Sequence, residues 1–133
     1  MSEADRIKYL SSALLLVGLI FIIGIYPLTI IWPSGWSWQT SHSHYLPMIL
    51  GIYATLGGFL LVASRNPLAH LSLIWFAVWS SVVHGGIMAV QSLMNSENRG
   101  HLWGDVLALL AVAAVLAVLT PRSAPTKPSQ VRA

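Results

Sequence analysis

Four apolar stretches, at about residues 10–31, 46–63, 69–93 and 102–120, take up nearly all of this chain. A helix rises about 1.5 Å per residue and the hydrocarbon core of a bilayer is about 30 Å thick, so each stretch is long enough to cross it. The two shorter stretches cross with little tilt, helped by the interfacial side chains Tyr45 and Trp103. A soluble bundle would carry a charged stripe on every helix, whereas residues 10–31 are uncharged on all faces. A membrane barrel would need alternating segments of about ten residues, at least about eight of them. Helices remain, because in lipid every backbone polar group must bond within its own segment.

Basic residues set the orientation, since Lys and Arg stay on the cytoplasmic side. Arg6, Lys8, Arg65, Arg122, Lys127 and Arg132 fall before the first stretch, in the second connection and after the last, and Arg99 falls on the other side. The sequence therefore predicts an all-α fold: a four-helix transmembrane bundle, up-down-up-down, with N and C termini cytoplasmic in the inner membrane. This bias also explains the net charge of +3. The basic residues form no patch interleaved with aromatics, so nucleic acid is not an expected partner.

Arg6 and Lys8 ahead of an apolar run resemble the start of a secretory signal. The run is too long for one and ends in Tyr26-Pro27 and Trp32-Pro33 rather than a small-residue cleavage site, so it reads as a retained anchor. One transmembrane domain, residues 1–121, is expected, followed by a tail, 122–133, too poor in apolar residues to fold and read as disordered and cytoplasmic. The chain has no cysteine, which removes disulfides, thiolate metal sites, iron–sulfur clusters and cysteine nucleophiles together.

The connection Ser64-Arg65-Asn66-Pro67 makes spans two and three antiparallel neighbours, its proline ending one helix and opening the next. Small residues mark faces where helices approach closely. Gly51, Thr55, Ala54 and Gly58 sit at four-residue spacing on span two, with Gly57 beside them. Span three has Ala77, Ser80, Ser81 and Gly85, and Ala108, Ala111, Ala113, Ala114 and Ala117 line span four. Packing inside one bundle is the plain reading, and a homo-oligomer seam or a place in a larger membrane complex the sharper one.

Trp32, Trp36 and Trp38 in the first loop fit an interfacial aromatic belt. His42 and His44 have the alternation of two ligands on an extended strand, but no third ligand is near in sequence. His70 reads as an interfacial residue. Trp75 and Trp79 read as packing against lipid or span two.

Polar side chains inside the spans are more informative, because burying them in hydrocarbon is costly and tends to mark a partner, pathway or ligand. His84 and Gln91 lie seven apart on span three, and His101 and Asp105 lie four apart at the start of span four, each pair on one helix face. Spans three and four share a short loop, so a His84–Asp105 contact is expected, with His101 and Gln91 nearer the surface and Glu97 and Arg99 able to cover the cavity. Three readings compete for this cluster: a hydrogen-bond network locking two helices, a divalent metal site from His84, His101 and Asp105, and a proton relay or polar-ligand pocket. Haem is weaker, since His84 is the one histidine well inside the hydrocarbon.

The stretches Gly51-Ile52-Tyr53-Ala54-Thr55-Leu56-Gly57, Ser64-Arg65-Asn66-Pro67, Trp79-Ser80-Ser81-Val82-Val83-His84, Met88-Ala89-Val90-Gln91 and Gly100-His101-Leu102-Trp103-Gly104-Asp105 together resemble an uncharacterised family of small bacterial four-span membrane proteins, over about residues 8–121. In layout alone the chain also resembles the DoxX-like four-helix membrane proteins. No motif of known catalytic mechanics is present. The function expected from the residues is therefore that of a non-catalytic or accessory multi-pass membrane protein with an outward-facing polar pocket. The alternative is a metal-binding or quinone-linked redox subunit built on His84, His101 and Asp105, with a divalent ion as cofactor.

Overall fold

The computed structural model describes residues 1–38 and 44–121, and among these the chain is helical, with no strand. Helix α1 runs Glu3–Ile31, a short α2 Pro33–Trp36, α3 Tyr45–Arg65, α4 Leu71–Met94 and α5 Asp105–Leu119. The 3-10 turns Pro67–His70 and Ser96–Leu102 lead into α4 and α5. Glu3–Ile31, Tyr45–Arg65, Pro67–Met94 and Ser96–Leu119 are each long and apolar enough to cross a membrane. The tail, residues 122–133, and His42 lie outside the described residues.

Local chemistry explains where these helices begin and bend. The first starts at Glu3, ahead of the apolar stretch, because the Ser2 hydroxyl accepts the Asp5 N–H at 3.1 Å while Glu3 and Asp5 place acid at the positive helix end. Within α1, Ile20–Gly24 forms a π-helical turn in which the Ile25 N–H reaches back to the Ile20 carbonyl. Pro27 follows with no N–H to continue the usual ladder. Between α3 and α4 the extended Asn66 (φ −150°, ψ 78°) precedes Pro67 at the first helical position.

The bundle is apolar on the outside. Leu16, Ile23, Phe76 and Val118 are each at least 60% exposed, and similar side chains surround the molecule. In water this would far exceed the apolar patch a soluble monomer carries; in a bilayer it is the surface that meets acyl chains.

Packing is strongest between α1 and α3 and between α4 and α5, whereas α3 and α4 touch less, despite their short connection. The main core joins Leu10 and Leu14 of α1, Leu60 and Ala63 of α3, Ile74 and Ala77 of α4 and Leu116 of α5. It fills the half of the bundle that holds the start of α1 and the end of α5. Arg6 ties that end, donating to the carbonyls of Leu119 (3.0 Å), Val118 (2.8 Å) and Thr120 (3.1 Å), which lack helical partners. The Ser11 hydroxyl donates to the Ser64 carbonyl and fastens α1 to the end of α3.

The expected small-residue face of α3 is not the one that packs. A Cβ at Gly51 or Gly58 would meet nothing within 4 Å, whereas a Cβ at Gly57 would lie 2.7 Å from the Gly18 carbonyl oxygen. The α1–α3 crossing therefore runs through Gly18 and Gly57, one residue away from the Gly51/Thr55 and Ala54/Gly58 rows. At the opposite end, the backbones of two loops touch. A Cβ at Gly100 would lie 2.5 Å from the Ser34 carbonyl oxygen, and one at Gly104 would overlap the Gly35 carbonyl. Glycine at those two positions lets α2 sit directly on the turn before α5.

A cavity with two hydrogen-bonded dyads

The half of the bundle away from the main core holds a half-open cavity of about 920 Å³. All four long helical units contribute to its wall: Phe21 and Thr29 from α1, Tyr53 from α3, His84, Met88 and Gln91 from α4, and Asp105 and Ala108 from α5. Trp36 and Trp38 close one side. The π-helical turn places Ile20 and Phe21 on this wall, in keeping with the tendency of such turns to occur beside functional sites.

Asp105 and His101 form the first dyad. Successive turns around Gly104 bring the His101 Nδ1 to 3.2 Å from Oδ1 and 3.1 Å from Oδ2 of Asp105. His101 is 2% and Asp105 7% exposed, so the pair is buried inside the protein. Trp38 completes it, donating its indole N–H to Oδ2 at 2.7 Å while its ring stacks on the His101 imidazole, centroids 4.1 Å apart and 28° between planes. The carboxylate thus meets the N–H groups of Trp38, His101 and the Val106 backbone at the first residue of a helix, where the backbone dipole also favours negative charge.

The second dyad joins the hydroxyl of Tyr53 to the Nδ1 of His84 at 3.1 Å. Phe21 holds the Tyr53 ring edge-on, with centroids 5.0 Å apart and 75° between planes. Among the described residues no group bonds the Nε2 of His84, which lines the cavity with this edge still able to pair.

This geometry corrects several sequence-based expectations. His84 and Asp105 line the same cavity, but each is bonded elsewhere, His84 to Tyr53 and Asp105 to His101 and Trp38. Among the described residues no three His, Asp or Glu side chains are grouped to hold a metal ion. Within the expected set of His84, His101 and Asp105, the described contacts pair His101 with Asp105 and His84 with Tyr53. Gln91 is exposed and on the cavity wall. Glu97 and Arg99 are exposed and do not line the cavity; the tryptophans of the first loop occupy that position instead. Trp36 and Trp38 therefore turn inward rather than joining an interfacial belt, while Trp32 and Trp79 stay exposed.

Tyr53 and Trp38 were absent from the sequence-derived cluster. Tyr53 carried a usable signal, a hydroxyl in mid-span that must find a partner in hydrocarbon. Trp38 carried none, since nothing in its neighbourhood separates it from an interfacial tryptophan.

The chain's residues 4–133 match a family of unknown function (DUF6632). No curated protein and no solved structure matches the chain.

Proposed function

Since the chain belongs to the DUF6632 family, of unknown function, along nearly its whole length, we propose a role from its cavity: a non-catalytic or accessory multi-pass membrane protein that holds a small amphipathic guest. The observation that carries this reading is the cavity of about 920 Å³ between the helices, with His84, Gln91 and Asp105 on an otherwise largely apolar wall. That combination of a mostly apolar enclosure and a few convergent polar groups is the usual form of a small-molecule site. His84 and Asp105 are already hydrogen-bonded, so the wall is organised before any guest arrives.

The bundle runs up-down-up-down in a bacterial cytoplasmic membrane, both termini on the cytoplasmic side. The distribution of Lys and Arg supports that orientation, and the bonds from Arg6 to residues 118–120 support a shared end for the first and last spans. The cavity then lies toward the outer side, accessible from the outer leaflet or the space beyond it.

Native mass spectrometry of the gently purified full chain tests the reading. The protein should carry one small amphipathic molecule per chain, and Ala108→Trp, which fills the cavity, should lose it. A guest retained by a folded Ala108→Trp variant, or a wild-type chain that carries no guest and is not stabilised by added amphiphiles, overturns the proposal.

A further inference from the structure

We propose that the guest of this cavity is an amphipathic organic cation, held by the Asp105 carboxylate and by aromatic faces; the inference rests on the cavity being a ligand site. Charge complementarity is the first argument. Asp105 lies on the wall, and among the described residues no Lys or Arg does. An anionic headgroup entering this space would find one carboxylate and no permanently charged cation among the described lining residues, where an uncompensated charge is costly to bury. A positive group would find a partner.

The second argument is the remaining capacity of Asp105. Among the described residues the carboxylate accepts from three groups: the Trp38 indole, the His101 imidazole shared between its two oxygens, and the backbone N–H of Val106. A carboxylate offers about four acceptor positions, so it can still take one more donor or face a cation directly. When His101 donates as a neutral imidazole, the pair keeps the net negative charge of the acid.

The third argument is the wall itself. Phe21, Trp36, Trp38, Tyr45 and Tyr53 surround the cavity. Aromatic faces attract cations through their quadrupoles, and desolvation strengthens the attraction. An aromatic enclosure with one acid is the arrangement that binds alkylammonium-type groups, while aliphatic lining residues such as Ile49 and Val112 accept an apolar body.

Binding of two ions of matched shape and opposite charge, tetraphenylphosphonium and tetraphenylborate, with neutral triphenylphosphine oxide as a third probe, tests this on the full chain in neutral detergent. Tetraphenylphosphonium should bind saturably, at least tenfold more tightly than tetraphenylborate, and should weaken at least tenfold in Asp105→Asn. Gln91→Lys places positive charge at an exposed wall position and should reverse the preference even if Asp105→Asn folds poorly. Equal binding of the two ions, binding of the neutral probe alone, or an unchanged preference in folded Gln91→Lys overturns the cation inference and leaves the cavity reading standing. Binding of none of the three removes the cation inference, and the mass-spectrometric result then decides the cavity reading separately.

Discussion

Trp38 and Asp105, 67 residues apart in sequence, are joined by an indole N–H donated to a carboxylate oxygen at 2.7 Å. This bond fixes the first loop over the start of α5 and gives the acid a side-chain donor besides His101. Trp38→Phe keeps a ring to stack on His101 but removes the donor. It should lower stability by about 1–3 kcal/mol, the range for a lost hydrogen bond to a charged group. Unfolding in mild detergent followed by tryptophan-independent circular dichroism checks this, and a variant as stable as wild type would show that the contact is not maintained in solution.

Tyr53 and His84 should behave as a coupled pair. A double-mutant cycle with Tyr53→Phe and His84→Phe should give a coupling of about 0.6 kcal/mol, with about 1.7 kcal/mol as the upper end for hydrogen bonds between membrane helices. The same cycle run on His84 and Asp105 should give less, because each has its own partner. A larger coupling for His84 and Asp105 would restore the direct pairing that helical spacing alone had favoured.

Much of the fold was legible in the sequence, because span length and apolarity follow from bilayer thickness, which acts on each segment independently. The particular helix faces were not legible. Gly57 and Gly58 are adjacent and chemically identical, yet one meets Gly18 and the other meets nothing, a difference set by how α1 crosses α3. The site was legible to the same depth. Asp105, His84 and Gln91 stood out as polar groups in oil, but their pairing depended on Tyr53 and Trp38, which reach them from other elements of the chain.

The glycine pair gives a direct prediction. Gly57→Ala forces the two backbones apart, since its Cβ would lie 2.7 Å from the Gly18 carbonyl oxygen, and should cost about 1–3 kcal/mol. Gly58→Ala has open space and should be neutral or stabilising by up to about 1 kcal/mol through helix propensity. Thermal denaturation of the two variants side by side decides it; equal effects would place the helix crossing elsewhere.

Arg6 gives another. Its guanidinium reaches three carbonyls at the end of α5, a fork that an ammonium group does not reproduce. Arg6→Gln should lose about 1–2 kcal/mol, and Arg6→Lys should recover only part of it. Full recovery by lysine, read from the same melting curves, would reduce the role of Arg6 to charge at a helix end.

On the proposed orientation, the cavity opposite the main core opens to the outside of the cell. The chain has no cysteine, so a single introduced one reports cleanly. Met88 lines the cavity, and the adjacent Ile87 is 55% exposed on the lipid-facing surface. In intact cells, a small membrane-impermeant cationic thiol reagent should label Met88→Cys but not Ile87→Cys, and the added bulk of Ala108→Trp should slow the first reaction at least tenfold. Equal labelling at the two positions, or none at Met88→Cys while a cysteine among residues 39–43 reacts, would contradict the account.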